Sequence, residues 1–488
     1  MQKKTTRRRF LKQAAAASAV FPLFTIAGTK SSGRVLGAND AVRVGQAGIH
    51  GQGNAHIDQY LGLKNVQVTY LIDPDRSLFE SRSKKVRDRG GNDPKCVVDI
   101  REALDDKELD VISVATPNHW HSLIAVWACQ AGKDVYVEKP MSHDFNEGRR
   151  VIEAAQRHKR LVQHGTQQRS SESRANEIAA VQSGKYGKLL VSKGYCCKPR
   201  WSIGYKDTAA PPADLAFDLW LGPAQQQPYH PNLVHYNWHW FWDFGNGDIG
   251  NQGVHEVDVA RWAIKGATLP TKVWSLGGRF AYEDQGQTPN TQMAVYEFGD
   301  VLLVFEVRGL VDKDKDKGHD SPFKFKVLNE YYTDQGMITN GKFYPRGGGE
   351  PQPLEKFDVK VTPGGAWGSF IHAVRNQDAA YLNAPAEHGH YSSGLCHLAN
   401  ISYRLGKSVP FSNQTKALGE NREVVESFRN LKENIEGVGV NLEETNYQLG
   451  RVLAFDPKSE KFVGDGAEQA NGMLTRQYRA PFVMPEKV

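Results

Sequence analysis

The chain has 488 residues, 40% of them hydrophobic and 24% charged, and a net charge of +6. This is enough for two or three domains with sizeable cores, at an ordinary soluble-protein composition. Six basic side chains and no acid lie in the first twelve residues, so the remainder is near neutral and carries no nucleic-acid footprint. Five cysteines (Cys96, Cys129, Cys196, Cys197, Cys396) lack CxxC spacing, so neither a metal site nor a disulfide framework is expected.

Thr6-Arg7-Arg8-Arg9-Phe10-Leu11-Lys12 precedes, after Gln13, the weakly apolar run AAAASAVFPLFTIAG. The segment resembles a twin-arginine export signal, too short and interrupted to be a good membrane span. That route carries folded proteins, which suits a protein that loads a cytoplasmic ligand first. A periplasmic or exported location is expected, free or anchored by an uncleaved signal, with the twin-arginine export machinery as partner.

From Ala41 strands and helices alternate. VRVGQA is a strand; a glycine turn leads to a helix near Ala55 to Leu63; VQVTYLID is a second strand. VISVAT, Val111 to Thr116, is a third, followed by a helix from His119 to Gln130. DVYVEK is the next strand, Asp144-x-x-Glu147 is a capping box opening a helix through Ala155, and LVQHGT is another buried strand. Continuous apolar strands separated by helices predict a parallel, doubly wound nucleotide-binding domain. The strands KLLVSKGYCC, KVWSLGGRFAYE, QMAVYEF and VLLVFEVRGL then predict an α+β domain with a large, mainly antiparallel open sheet, and Gly299-Asp300 reads as a hairpin turn. Lys198 to Asn251 is loop-rich and aromatic, 314–317 a charged turn, and Pro345 to Glu355 an exposed loop. The last ninety residues hold one or two helices and a proline-bearing tail. The expected division is 1–38 export signal, 39–165 nucleotide-binding domain, 166–410 substrate and oligomerisation domain, and 411–488 C-terminal extension.

Gly48, Gly51 and Gly53 follow a strand and precede a helix, as a pyrophosphate-binding turn requires. His50 stands where a GxGxxG frame has its middle glycine. Asp73 ends the second strand, twenty residues past Gly53, where a carboxylate would bond a ribose; the bland alternative is a helix cap. A carboxylate there favours NAD over NADP, with Arg76 near enough to soften the choice. Thr116 and Asn118, after the third strand, would bond the ribose or cap the following helix. His121 belongs to the same group or simply bonds backbone. Glu138-Lys139-Pro140 emerges from a buried strand, where an acid–base pair is costly unless used or paired. An ammonium there can polarise a carbonyl or stabilise an alkoxide. In GNGDIGNQGVHEVDVARW, His255 and Asp258 share a helix face, and His255 is suited to proton transfer or is a satisfied core histidine.

The motifs ATPNHWH, VEKP, GTQQRS and the glycine-rich helix with His255 resemble the Gfo/Idh/MocA family, the glucose–fructose oxidoreductase and inositol dehydrogenase type. The similarity spans 41 to about 410, and EHGHYSSGLCHLANISYRLG resembles a motif of exported members. The resemblance implies a Rossmann domain, an open sheet that buries an oligomer interface, and NAD(P)-linked chemistry on a sugar, polyol or derivative. It assigns Lys139 as the catalytic lysine, Glu138 as its acidic neighbour, and His255 as the histidine of a D-x-x-x-H pair whose aspartate aligns with Asn251. Gln168 and Arg169 match a cofactor-adjacent segment.

The expected function is thus hydride transfer at a secondary hydroxyl or ketone of a carbohydrate, by a homo-oligomer with tightly bound NAD, NADP being the second option. One alternative is an NAD-dependent glycoside-cleaving enzyme that oxidises, eliminates and returns the hydride. Another is an exported, non-catalytic carbohydrate-binding protein.

Overall fold

The structure, a computed structural model, describes residues 41–311, 321–411 and 418–488. The arginine-rich segment, the apolar run after it and the turn expected at 314–317 lie outside the described residues.

The first unit runs β1 (Val42–Ala47), α1 (Gly51–Leu61), β2 (Val66–Ile72), α2 (Phe79–Gly90), β3 (Lys95–Val97), β4 (Val111–Val114), α3 (Asn118–Gln130), β5 (Asp134–Val137), α4 (Phe145–His158) and β6 (Val162–His164). Its parallel sheet has the order β3-β2-β1-β4-β5-β6. The order reverses between β1 and β4, which opens a crevice at their carboxyl ends. Every residue of β4 and β5 is buried, as helices on both faces require. The edge strand β3 was not expected from the sequence; its three residues are too few for a pattern. Helix α1 starts at Gly51, not near Ala55, so the glycine turn passes straight into the helix. Asp144 caps α4 by accepting from the Glu147 amide, while Glu147 reaches back to the His143 amide.

The chain continues through α5 (Glu172–Ser183), β7 (Leu189–Cys197), α6 (Gly253–Ala263), β8 (Lys272–Gly278), β9 (Thr291–Phe298), β10 (Val301–Arg308) and β11 (Lys326–Thr333). Gly299 adopts φ 62° in the two-residue β9–β10 turn. The region expected as an exposed loop is largely one: it joins β13 (Lys342–Pro345), which pairs with β12 (Gly336–Thr339), to the two-residue edge strand β14 (Gln352–Pro353). After α7 (Gly365–Asn376) and α8 (Ala386–Arg404) come β15 (Lys407–Pro410), α9 (Arg422–Gly437), β16 (Asn446–Leu449), β17 (Leu453–Asp456) and β18 (Lys461–Val463). The second sheet orders β14-β13-β12-β11-β7-β10-β9-β8-β16-β15, with β17 on β8 and β18 on β17; only β7–β10 is parallel.

Helices α6 and α8 cover one face of this sheet. On the other face α9 buries Val424, Phe428, Leu431 and Ile435 against Trp274, Met293 and Val304. Their spacing of four, three and four is one helical stripe, and each such side chain contributes roughly 1.5–3 kcal/mol. The C-terminal part also returns to the first unit. Ala366, Phe370 and Val374 of α7 pack with Val42 and Val44, and Phe482, Met484 and Val488 join Trp120, Leu123 and Ile124.

Candidate active site

A cavity of about 360 Å³ lies at the carboxyl ends of β1, β4 and β5, roofed by residues from the second unit. The glycine turn forms its floor. Gly48 has φ +75°, and an added Cβ would lie 2.6 Å from the Ala115 carbonyl oxygen. At Gly53 an added Cβ would overlap the Gly48 carbonyl. Both glycines therefore let turn, helix and β4 close together. Gly51 meets nothing within 4 Å, so that side of the helix start is open. At the middle-glycine position the His50 ring stacks on His235 at 4.3 Å and 1°, and His235 Nε2 lies 2.9 Å from Asp75 Oδ2.

Asp73 sits at the cavity edge, where its Oδ2 accepts from the Ile49 amide and its Oδ1 from the Asp75 amide, each at 2.9 Å. It caps no helix; Asp75 caps the short turn at Arg76–Leu78. Burial pushes the Asp73 carboxyl up to about 6. Each oxygen keeps a lone pair for a further donor.

Asn118 does not cap α3 either: the cap is Pro117, with no side-chain bond. Instead Asn118 Nδ2 and Thr116 Oγ1 are buried without a partner, and both residues line the cavity. Unpaired buried polar atoms are costly and call for a ligand. His121 differs, with Nδ1 2.7 Å from the Pro140 carbonyl and Nε2 2.7 Å from the Thr116 carbonyl. It ties the two strand ends together.

Glu138 is buried in the cavity wall. Its Oε1 accepts from Gln52 at 3.0 Å and lies 3.0 Å from His56 Nε2, while Oε2 accepts from the Lys139 amide. Gln52 and His56 are four apart on α1 and reach it together. Burial opposes the charge, but the bond and charge of His56, then Lys139, hold Glu138 down to about 2. Lys139 is half-buried, and its Nζ donates to the Asn251 carbonyl at 2.8 Å. That bond joins the two units across the cavity. Asn251 lines the cavity and its side-chain amide has no partner among the described residues. His255 lies one helical turn on. Burial, then Lys139, lowers its imidazole to about 3, so it is neutral near pH 7. His164 adjoins the same cluster, fully buried with both ring nitrogens unpartnered, and burial lowers it to about 4.

The structure thus gathers Gly48, His50, Gly51, Asp73, Thr116, Asn118, His121, Glu138, Lys139 and Asn251 around one cavity. Gly53 and His255 lie just behind its lining. Gln168 and Arg169 do not reach it. Gln168 accepts from Arg174, and Arg169 forms a buried two-bond pair with Asp258 at 2.8 and 2.9 Å. Arg261 adds to that cluster, so Asp258 serves a structural ion network and not a dyad with His255. Sequence reading missed Gln52, His235 and Lys198, which line the cavity together with Trp220 of the aromatic stretch. Only Gln52, between Gly51 and Gly53 of the glycine turn, had a positional signal.

Most of the aromatic stretch is a satellite core of Phe217, Trp220, Tyr229, Trp240, Phe241 and Phe244. Trp201 and Tyr236 remain 78% and 57% exposed, and Tyr236 lines the cavity. The stretch also straps the first unit. Leu215 bridges Asp75, the Arg76 amide donates to Asp214 and the Ala216 amide to Pro74, while Trp120 Nε1 donates to the Trp220 carbonyl.

These residues fit a dinucleotide: a glycine cradle at a helix start, a carboxylate after β2, and orphaned donors and acceptors after β4. Residues 42–166 match the model described as "Oxidoreductase family, NAD-binding Rossmann fold", and 181–293 match "Oxidoreductase family, C-terminal alpha/beta domain". Among curated relatives, a glycosyl hydrolase family 109 protein of Shewanella pealeana is 24% identical over 218 residues, 41% of this chain and 48% of its own. An alpha-N-acetylgalactosaminidase of Shewanella oneidensis is 24% identical over 220 residues, 40% of this chain and 47% of its own. The chain therefore spans about half the length of the curated relatives it matches. The WlbA dehydrogenase of Bordetella pertussis, solved with NADH and UDP-GlcNAcA, shares the fold at TM-score 0.54 and 15% identity, over 75% of this chain and 97% of its own. Levoglucosan dehydrogenase, solved with NADH and levoglucosan, does so at 0.53 and 16%, over 73% and 95%. The two matched segments place the nucleotide-binding unit and the first part of the second unit in the Gfo/Idh/MocA oxidoreductase family, NAD-binding domain first and α/β domain second.

Proposed function

We propose that this protein acts on a secondary hydroxyl of a sugar or polyol, with NAD held in the cavity. The observation that carries the reading is Lys139. Its ammonium lies at the carboxyl end of β5, in the same cavity as the glycine turn and the unpaired Thr116 and Asn118 atoms. Gly48, Gly51 and Gly53 would cradle the pyrophosphate, Asp73 a ribose hydroxyl, and Thr116 and Asn118 the remaining polar edge. Asp73 would repel a 2′-phosphate, which favours NAD over NADP. The bound nicotinamide would supply the hydride acceptor.

The protein's own groups handle the oxygen. Lys139 donates to the reacting oxygen and stabilises negative charge there; in reverse it polarises a carbonyl. His255 is the proposed acceptor of the hydroxyl proton; it is neutral at pH 7, and burial and Lys139 keep it a weak base until negative charge develops on the reacting oxygen. Asn251 bonds a neighbouring hydroxyl and fixes the ring; an amide cannot itself take the proton. Exposed Tyr236 offers a flat face at the cavity for a sugar ring.

A second reading, a redox-neutral glycoside cleavage with retained cofactor, is supported by the glycosidase names of the curated relatives and by the strap. With His50 stacked on His235 and the strap bonded to the segment after β2, cofactor exchange requires several contacts to open. Mass spectrometry of small molecules released by denaturing the purified protein tests retention. A screen of sugars and glycosides, with and without added NAD, separates the readings. Net NADH formation supports oxidation, and cleavage without added NAD supports the second reading. A protein that neither retains nor binds NAD would overturn both.

We also propose export through the twin-arginine route, from Arg7 and Arg8. Arg7→Lys with Arg8→Lys should leave the protein in the cytoplasm on cell fractionation; unchanged delivery would refute it.

A further inference from the structure

The cavity contains three cationic side chains, and only one is neutralised. Arg200 forms a two-bond pair with Asp248, 2.6 Å on each arm. Lys139 has no carboxylate within ion-pair distance among the described residues, and its Nζ bonds only the Asn251 carbonyl. Lys198 is similar. It follows β7 directly, lines the cavity, and its Nζ has one contact, 3.4 Å from Gln252 Oε1. That is a long bond to a neutral amide.

The acids lining the cavity are already engaged. Asp73 accepts two backbone amides, Asp99 binds Arg101 and its amide, and Glu138 holds Gln52, His56 and the Lys139 amide. Lys139 and Lys198 therefore line the cavity without an ion-pair partner among the described residues. These lysines flank one short segment: Lys139 rests on Asn251 and Lys198 on Gln252. The glycine turn, where a pyrophosphate would lie, belongs to the first unit, whereas Lys198 follows β7 of the second.

We propose that Lys198 is an anion-recognising residue of the substrate subsite, and that the substrate is a sugar bearing an anionic substituent, a carboxylate or sulfate ester. The inference rests on the proposed function and names its substrate class. The reacting hydroxyl sits at Lys139, and the anionic group at Lys198, one residue further along the same wall. A charge-assisted bond in a partly enclosed site is stronger than the neutral one it replaces. Both lysines are half-buried and share the cavity with Tyr236.

The test is equilibrium binding to the NAD-loaded protein, by calorimetry, with glucuronate, glucose 6-sulfate and glucose as probes. Glucuronate or glucose 6-sulfate should bind at least about tenfold tighter than glucose, and the tighter of the two identifies the anion. The preference should shrink as salt is raised. Lys198→Met should abolish the preference and Lys198→Arg should keep most of it. If neither anion outbinds glucose, or if the preference survives Lys198→Met, the assignment is overturned. Turnover is scored separately. Selective anion binding without any change in bound-cofactor absorbance would leave Lys198 assigned and sink the oxidoreductase reading instead.

Discussion

Lys139→Met is the most direct probe of the proposed chemistry. Methionine keeps most of the stem and removes the charge. The side chain is half-buried, and its Nζ makes one hydrogen bond, 2.8 Å to the Asn251 carbonyl. Losing that bond costs about 1 kcal/mol, so the fold should persist. Glu138 makes no ion pair with the ammonium, because its oxygens are taken by Gln52, His56 and a backbone amide. The Nζ donors are thus open to an oxygen that becomes negative. Removing one such stabiliser costs about 2.7–4 kcal/mol, or roughly a hundred- to a thousandfold in rate. The assay is single-turnover absorbance of the nicotinamide after mixing with a substrate found by screening. Urea denaturation and mass spectrometry of retained NAD serve as controls. A Met variant within threefold of wild type, with NAD bound, would refute the role of Lys139. A variant that folds but loses NAD would make Lys139 a cofactor ligand.

The remaining predictions concern acid stability and the glycine turn. Burial lowers His119 and His397 to about 3 and His164 and His239 to about 4, below the usual 6.5. The unfolded chain therefore binds more protons below pH 6.5, and stability falls as pH drops from there towards 3–4, by up to about 1.4 kcal/mol per histidine per pH unit. Glu256, pushed up to about 8 by burial, acts oppositely, its contribution fading as pH rises through 8. Urea midpoints should peak near pH 6 to 6.5 (about where these trends cross) and collapse below pH 5; a flat profile from 4 to 7 would contradict the buried neutral histidines. Gly48→Ala forces a left-handed alanine, costing about 1–2 kcal/mol, against the Ala115 carbonyl, so both stability and NAD affinity should fall. Gly51→Ala meets no protein atom and should spare stability while weakening NAD; equal midpoints for both variants would show that the turn is unstrained.

The sequence by itself determined the elements whose signals are local. Short, wholly apolar strands between amphipathic helices specify a parallel sheet, because only burial on both faces suits them. The turn before α1, the aspartate after β2 and the lysine after β5 were legible for the same reason: each sits at a fixed step from a strand end, and parallel topology brings those ends to one edge. The Gly299-Asp300 turn was legible because two residues with Gly at positive φ close a tight hairpin. Tertiary structure decided the rest. Strands β3 and β12–β18 are two to four residues long and carry no usable period. Whether Asn118 caps a helix or faces a ligand depends on the neighbouring Pro117 backbone, not on asparagine's preference. His164, His121 and His255 are alike in sequence, yet one is unpartnered, one ties two carbonyls and one faces Lys139. Lys198, His235 and Trp220 reach the cavity from a segment with no regular period, across sequence separations that no local pattern records. Their roles arise when two sheets dock and long-range charges and rings come within a few ångströms, which is a property of packing and not of spacing.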